Sequence, residues 1–562
     1  MSRLVLGIDF GTTNSCVGCV LSSDNANHVV LNGQGNPTTP SFISHAGEDY
    51  ICGELSYNRR VQQGESTVYA FKRLLGKRWA DRELHEALGY LPFEVTEDVS
   101  GNPQINLGGR YWTAEDLTAL YLKHLYTVAL KRLESSVQDS DVPKDCVITC
   151  PARFDVRQRQ VLSDAYRVAG LNPIQVINEP TAAAYYYLHK NPDIENRTLL
   201  VFDLGGGTLD VTVIKIENSV PHEIATDGHS KLGGEDFDNV LLDWAFDEIE
   251  EEFVEQNANR HVFKPKELLR LKDALQQAKH QLSDTSLDET NIEIASFIKG
   301  EDLELELSRD EFDELVSPLV DQCMEKISSV LHTAKLTKDD IDDVILVGGG
   351  SRVPLIRSRI TDFFGREPLR NLNEDTIVAE GAAWVGRTKI DDPNPGPTPT
   401  TILGLALGTD NESGVIHYFG KTDLEGNPTK LPIERTLTFT NVIDNARSIS
   451  VRIYQGICND DDQRILQPSG TKCRGVCQSG GNHNRLIDQF EVPIPQSAAR
   501  TERVKVTFSI DTQGFLTIMT TVKSTGAVRT VSFNYNLSQE QIAEKAGEER
   551  FNMCIDQVLC DE

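Results

Sequence analysis

Four stretches of the chain set apolar, mostly β-branched residues side by side and then stop at glycine or proline: RLVLGIDFG, CVITCPA, TLLVFDLGGG and DDVILVGGG. Continuous apolar runs of this length read as strands covered on both faces. Between them apolar positions recur at three- and four-residue steps, as in TAEDLTALYLKHLYTVALKRLES, where Thr113 is placed to cap a helix and Asp116 stands three residues on. Strands alternating with helices predict α/β architecture. The texture changes after residue 387. DDPNPGPTPTT packs prolines into a polar run, the composition of a stiff exposed linker. Beyond it, SISVRIYQG, RVKVTFSID and FLTIMTTV alternate with period two, and 511–514 reads as a hairpin turn, which predicts an antiparallel β unit. Helical spacing returns in LSQEQIAEKAGEERF, with Ser538 as N-cap before Gln539 and Gln541. The pattern divides the chain into 1–388, a linker 389–401, a β unit 402–536 and a short C-terminal helix 537–562.

A length of 562 residues exceeds one hydrophobic core and predicts three or four folding units. With 39% hydrophobic residues the chain lies outside the composition of disorder. Its net charge of -30 repels phosphate backbones and anionic lipid, which argues against nucleic acid and membrane partners. The N-terminus lacks the apolar core of a leader, and no run approaches 18 apolar residues, so a soluble, unexported protein is expected. Eleven scattered cysteines, with Cys146 and Cys150 inside an apolar strand, fit a reducing, cytoplasmic compartment.

The chemistry sits where strands end. GIDFGTTNS at 7–15 and VFDLGGGTLD at 201–210 share one grammar: an apolar strand, an Asp, then Gly and Thr in a tight turn. Such a turn offers unshielded N–H groups to phosphate oxygens while the carboxylate meets the metal ion riding on them. Two copies predict two jaws on one polyphosphate. A lone glycine turn is more often a plain connection, but VILVGGGSRVP supplies a third.

These motifs, with INEPTAAAYYY, KLGGEDFDN and AFKRLLGKRW, closely resemble the heat-shock protein 70 (DnaK-type) chaperones of the actin-like and sugar-kinase-like ATPase superfamily. The resemblance covers residues 3–388 at high specificity and the β unit more thinly. It implies a two-lobed actin-like (ribonuclease H-like) ATPase followed by a β-sandwich that binds peptide and a truncated helical lid. By the same resemblance Asp9 and Asp203 organise Mg²⁺ largely through water, Lys72 positions the attacking water, and Glu179 orders metal-bound water. Thr13 and Thr208 stand near the γ-phosphate, and Asp210 matches a K⁺-site residue. Gly11, Thr12, Asn14, Gly205, Gly206, Gly207, Gly233, Gly234, Glu235, Gly348, Gly349, Ser351 and Asp375 complete the ATP/ADP site. Isolated, Lys72 reads as a solvated lysine and Glu179 as a helix-start carboxylate.

The nucleoside end departs from the family pattern. Lys279, Ser283 and Arg352 keep it, but Gln276 replaces a Glu, His280 replaces an Arg stacked on the base, and Gly350 replaces a Ser. A neutral imidazole stacks without the cation's contribution of about 1 kcal/mol, so looser ATP binding is expected. Pro151 and Arg159 match positions that relay nucleotide state. An insertion between Gln463 and Leu486 carries Cys473, Cys477 and His483 near Cys458, a zinc set of poor spacing whose plainer reading is a surface loop.

Three functions compete: an ATP-driven chaperone for unfolded polypeptides, a small-molecule kinase, and a non-cycling holdase, exchange factor or assembly component. The appended β unit and the water-activating Lys72 and Glu179 speak against the kinase. A monomer working with J-domain co-chaperones and nucleotide exchange factors is the implied setting. Peptide is expected along a strand edge at Ile416, Ile449, Val451 and Ile453, the last three sharing one face unless that face is the core. The proline-rich linker lacks donors and apolar side chains, so weak docking between the units and fast peptide exchange are expected, although 401–407, TILGLAL, can substitute as a docking strand.

Overall fold

The chain is seen in a computed structural model that describes all residues except 1–3, 22–26, 48, 61–65, 82–83, 86–87, 89–90, 92, 134–142, 230, 253–262, 264, 299, 392–398, 412–413, 420–426, 457–470, 473–483, 532–536 and 549–562. The four apolar runs are buried strands. Leu199, Leu200, Val201 and Phe202 are all 0% exposed, which a two-faced burial requires.

The first sheet is ordered Asn172–Asn178, Asp145–Cys150, Leu6–Asp9, Asn14–Val20, Asn27–Val29, with Thr38–Pro40 joining Asn14–Val20. Leu6–Asp9 runs parallel to Asp145–Cys150 and antiparallel to Asn14–Val20, with Asp9 opposite Cys16. The second sheet is ordered Val220–His229, Leu209–Glu217, Arg197–Leu204, Asp343–Val347. There Arg197–Leu204 pairs antiparallel with Leu209–Glu217, Asp203 opposite Asp210, and parallel with Asp343–Val347. The repeated phrase is one Asp-bearing hairpin used twice, each flanked by a parallel strand.

Between the sheets, Val5, Val147 and Ile177 share a core with Leu199, Val201 and Ile345 and with helices Glu179–Lys190 and Ile377–Asp391. The helices touch backbone to backbone, since a Cβ on Gly381 would lie 1.9 Å from the Ala182 carbonyl oxygen. Helices Ala114–Leu133 and Val156–Val168 cover the far side of the first sheet, and Gly234–Glu252, Pro265–Leu282 and Arg309–Ala334 cover the second. Thr113 caps its helix as expected, accepting from the Asp116 N–H at 3.1 Å. Cys146 and Cys150 are buried and free. Among the described residues no helix is long and apolar enough to cross a membrane.

The C-terminal part holds two antiparallel sheets around one core. One is ordered Thr471–Lys472, Gly414–Phe419, Ala406–Asn411, Ala446–Gly456, Asn484–Ser497, and the other Ile433–Thr440, Arg503–Ile510, Leu516–Val522, Val528–Thr530. The turn at 511–514 forms as expected, the Gly514 N–H donating to the Asp511 carbonyl. Three peptide-site residues need correcting. Ile449, Val451 and Ile453 are 6%, 1% and 0% exposed inside this core. Ala446–Gly456 turns alternate residues inward, and the outward set is Ser448, Ser450 and Arg452. The side chain of Ile416 and the sulfur and imidazole groups of Cys458, Cys473, Cys477 and His483 lie outside the described residues.

The docking contacts fall where the alternative to weak docking placed them, just downstream of the prolines. The Glu223 N–H donates to the Thr400 carbonyl at 3.0 Å, seating the chain just downstream of the proline run along the edge strand Val220–His229. The β unit rests on the N-terminal part through Arg485, which meets Asp155 and Asp81 at 2.7 Å each, and through Arg78 and Asp488 at 3.6 Å. Gln455 Oε1 accepts from the Val156 N–H and Gln513 Oε1 from the Val176 N–H. Polar side chains do the docking that the linker's composition lacks. Helix Gln539–Gly547, capped by Ser538 and Gln541 in a reciprocal box, buries Ile542 in the core behind the first sheet and pairs Lys545 with Asp116 at 2.6 Å.

Candidate functional site: an interlobe cleft

The two hairpins face each other across a cleft of about 440 Å³. Most of the expected residues line it: Asp9, Gly11, Thr12, Thr13, Asn14, Lys72, Glu179, Asp203, Gly205, Gly206, Thr208, Gly234, Glu235, Gln276, Lys279, His280, Ser283, Gly348, Gly349, Gly350, Arg352 and Asp375. Gly207, Gly233, Ser351 and Asp210 stand behind that wall. Ser351 is buried and its Oγ donates to the Gly348 carbonyl at 2.7 Å, holding the third turn.

Glycine is needed at two of these positions for reach. A Cβ on Gly206 would lie 1.9 Å from Thr13 Oγ1, so the jaws close on each other only without one. Gly348 has φ 78°, a left-handed conformation, and its Cβ would strike the Leu204 carbonyl. Thr13 Oγ1 is buried against Gly206 and has no hydrogen-bond partner among the described residues, an unspent donor beside the cleft.

At the floor, Lys72 Nζ lies 3.1 Å from Glu179 Oε1, both nearly buried. Burial pulls the Lys72 ammonium down, but Glu179 and Asp9 outweigh it and hold the group above its ordinary range. Asp9 is pushed up to about 7 by burial and by Glu179, against Lys72 and the Thr149 hydroxyl, which donates to it at 3.1 Å. Burial, then Glu179, Asp210 and Asp9, push Asp203 well up, and burial lifts Asp210 to about 7. Carboxylates this crowded and dry fit a cation. Among the described residues no three acidic, His or Cys side chains converge as direct ligands.

At the open end Lys279 pairs with Asp238 at 2.6 Å and donates to the Gly234 carbonyl. Arg352 meets Asp375 at 2.6 Å, and burial lowers His280, leaving a neutral imidazole near it. Sequence reasoning missed Asp238, although it stands within KLGGEDFDN, and Arg73, which pairs with Glu235 at 3.1 Å. It also missed Glu223, whose signal is a carboxylate in the buried register of a period-two strand.

Two like-built sheets with glycine turns on a shared cleft define a mixed α/β protein suited to a phosphate-bearing ligand. A family model described as Hsp70 protein matches residues 5–467. The chain is 32% identical over 557 residues to heat shock 70 kDa protein 2 of Paracoccidioides lutzii, covering 97% of this chain and 79% of that protein. It is 33% identical to a heat shock 70 kDa protein of Emericella nidulans over 550 residues (96% and 79%) and to one of Neurospora crassa over 557 (97% and 80%). The chain belongs to the Hsp70 family.

Proposed function

We propose that this chain is a slow, Mg²⁺-dependent ATPase of the actin-like kind that binds extended apolar polypeptide and assists its folding. The observation that carries the reading is the buried Lys72–Glu179 pair at the floor of a cleft walled by two Asp-bearing glycine turns. Phosphoryl transfer to water asks for positioning and charge neutralisation and little covalent chemistry. Backbone N–H groups of the turns and the free Thr13 hydroxyl hold phosphate oxygens, with Thr208 on the facing jaw. Lys72, kept cationic by Glu179, orients the attacking water and balances developing charge. Mg²⁺, when bound, would supply the remaining neutralisation, and Asp9, Asp203 and Glu179 are the residues that would hold it through water; Asp210 would suit K⁺. Residues 1–388 form the ATPase, 389–401 the linker, 402–536 the peptide unit and 537–562 the segment that begins with helix Gln539–Gly547. A cytoplasmic monomer served by J-domain co-chaperones and exchange factors completes the reading.

With Ile449, Val451 and Ile453 enclosed, the exposed Val442 and Ile443, 68% and 70% accessible between Ile433–Thr440 and Ala446–Gly456, offer the apolar contact. Steady-state turnover with and without Mg²⁺ tests the catalytic half. Lys72→Ala is expected to keep nucleotide and lose hydrolysis by orders of magnitude, because a positioning group acts in the transition state; unchanged turnover removes the mechanism. Fluorescence anisotropy with a leucine-rich peptide tests the other half. Saturable binding weakened about tenfold in Val442→Ser/Ile443→Ser is expected, at roughly the transfer energy of an exposed apolar pair, and no saturable binding sinks it.

A further inference from the structure

Glu223 is a buried carboxylate that the mechanism above does not use. It sits on the edge strand Val220–His229 in the inward register with Pro221 and Ala225, 1% exposed. Its neighbours are donors. Asn178 Nδ2 reaches both carboxylate oxygens at 3.0 Å, the Thr181 hydroxyl donates to Oε1, and the Ile402 N–H donates to Oε2 at 3.4 Å. On the main chain the same residue holds Thr400, whose N–H and hydroxyl meet His222 Nδ1 at 3.2 and 3.0 Å. One residue therefore grips the segment joining the two halves by backbone and side chain together.

Its other partners lead to the cleft. Asn178 is the N-cap residue of helix Glu179–Lys190, so the side chain Glu223 holds belongs to the residue before Glu179. Asn178 Oδ1 accepts from Arg159 Nη2 at 2.7 Å, and Arg159 Nη1 donates to the Gln513 carbonyl of the β unit at 3.4 Å. Segment, β unit and metal-site carboxylate thus meet within three hydrogen bonds of one carboxylate. A buried acid with donors arriving from three separate elements loses most of its support when any one leaves.

We propose that Glu223 is a positioning residue that locks residues 400–403 and the start of helix Glu179–Lys190 into one unit, so that seating of the segment sets the placement of Glu179. Unseating the segment removes a donor from Glu223 and relaxes its hold on Asn178 and Thr181. Glu179 then loses the fixed helix start that aims it at Lys72. The kinetic half of this proposal rests on the hydrolase reading; the structural half does not.

Hydrogen exchange of the Ile402 amide and steady-state ATP kinetics on the full chain separate the two. Glu223→Val removes all acceptor oxygens, and Glu223→Gln keeps the size and one acceptor but sets an NH₂ against that of Asn178. Exchange at Ile402 is expected to rise roughly tenfold in Glu223→Val, the loss of one buried hydrogen bond. kcat is expected to fall about fivefold with KM for ATP nearly unchanged, the size of a modest coupling energy. Glu223→Gln should lie between, and it decides alone should Glu223→Val not fold. Parental exchange at Ile402 in the variants overturns the lock, and kcat and KM rising or falling together overturns its link to Glu179. A parent chain without turnover overturns the hydrolase reading instead, while exchange at Ile402 still decides the lock.

Discussion

Lys72 and His124 are both buried and ionisable, and burial acts on both in the same direction. Lys72 keeps its charge because two carboxylates oppose it. His124, on helix Ala114–Leu133 beside Tyr121, has burial alone and is held down to about 4 from its usual 6.5. A histidine neutral in the fold but protonated in the unfolded chain contributes stability in full above pH 6.5, and that contribution disappears as pH falls toward 4. The loss is ~3 kcal/mol if the site stays shut. Urea unfolding from about pH 7 to 4.5 should therefore show a shallower acid loss in His124→Leu than in the parent; parallel curves contradict it. The turn residues that line the cleft were legible one by one because glycine, Asp and Thr at fixed spacing carry a backbone requirement. Glu223 was missed because its one signal, a carboxylate in the inward register of a strand, shows only once the inward side of that strand is known.

Helix Glu179–Lys190 owes its place to a crossing with Ile377–Asp391 so close that only Gly381 fits. In the sequence this glycine, in AEGAAW, reads merely as a weak spot in a helix; its necessity comes from an atom two hundred residues away. Gly381→Ala should push the helices apart and lower stability by about 3 kcal/mol, the upper range for overpacking. Since the displaced helix begins with Glu179, ATP affinity should fall as well. Denaturant midpoints and equilibrium nucleotide binding check this, and an alanine tolerated on both counts shows that the crossing gives way. Strands and helices themselves were readable from period. The inward side of Ala446–Gly456 was not, because period two says which residues share a face and leaves open what the face meets.

At the scale of the molecule the halves are joined by charge. Arg485 reaches Asp155 and Asp81, 330 and about 400 residues earlier, so no local reading of the proline run could find the docking that replaces it. These groups are largely buried, and cutting back one partner leaves carboxylates unpaired, at roughly 2 kcal/mol or more. Arg485→Ala should loosen the seat of the β unit, which Gln455, Gln513 and Ile542 then hold without it. Small-angle scattering is expected to show a larger radius of gyration for the variant than for the parent, and identical curves refute the role given to this arginine.

Ile542 completes a core whose other members end at Val176. A ribosome adding about 5–20 residues per second takes some 20 to 70 seconds to travel between those positions. A nascent N-terminal core that assembles within that interval would keep an apolar socket open beside the Asp116 carboxylate. The residue that closes it is made 366 residues after Val176, and until then the socket can accept a foreign side chain. Its own synthesis then includes a period in which a patch of its own core lies uncovered.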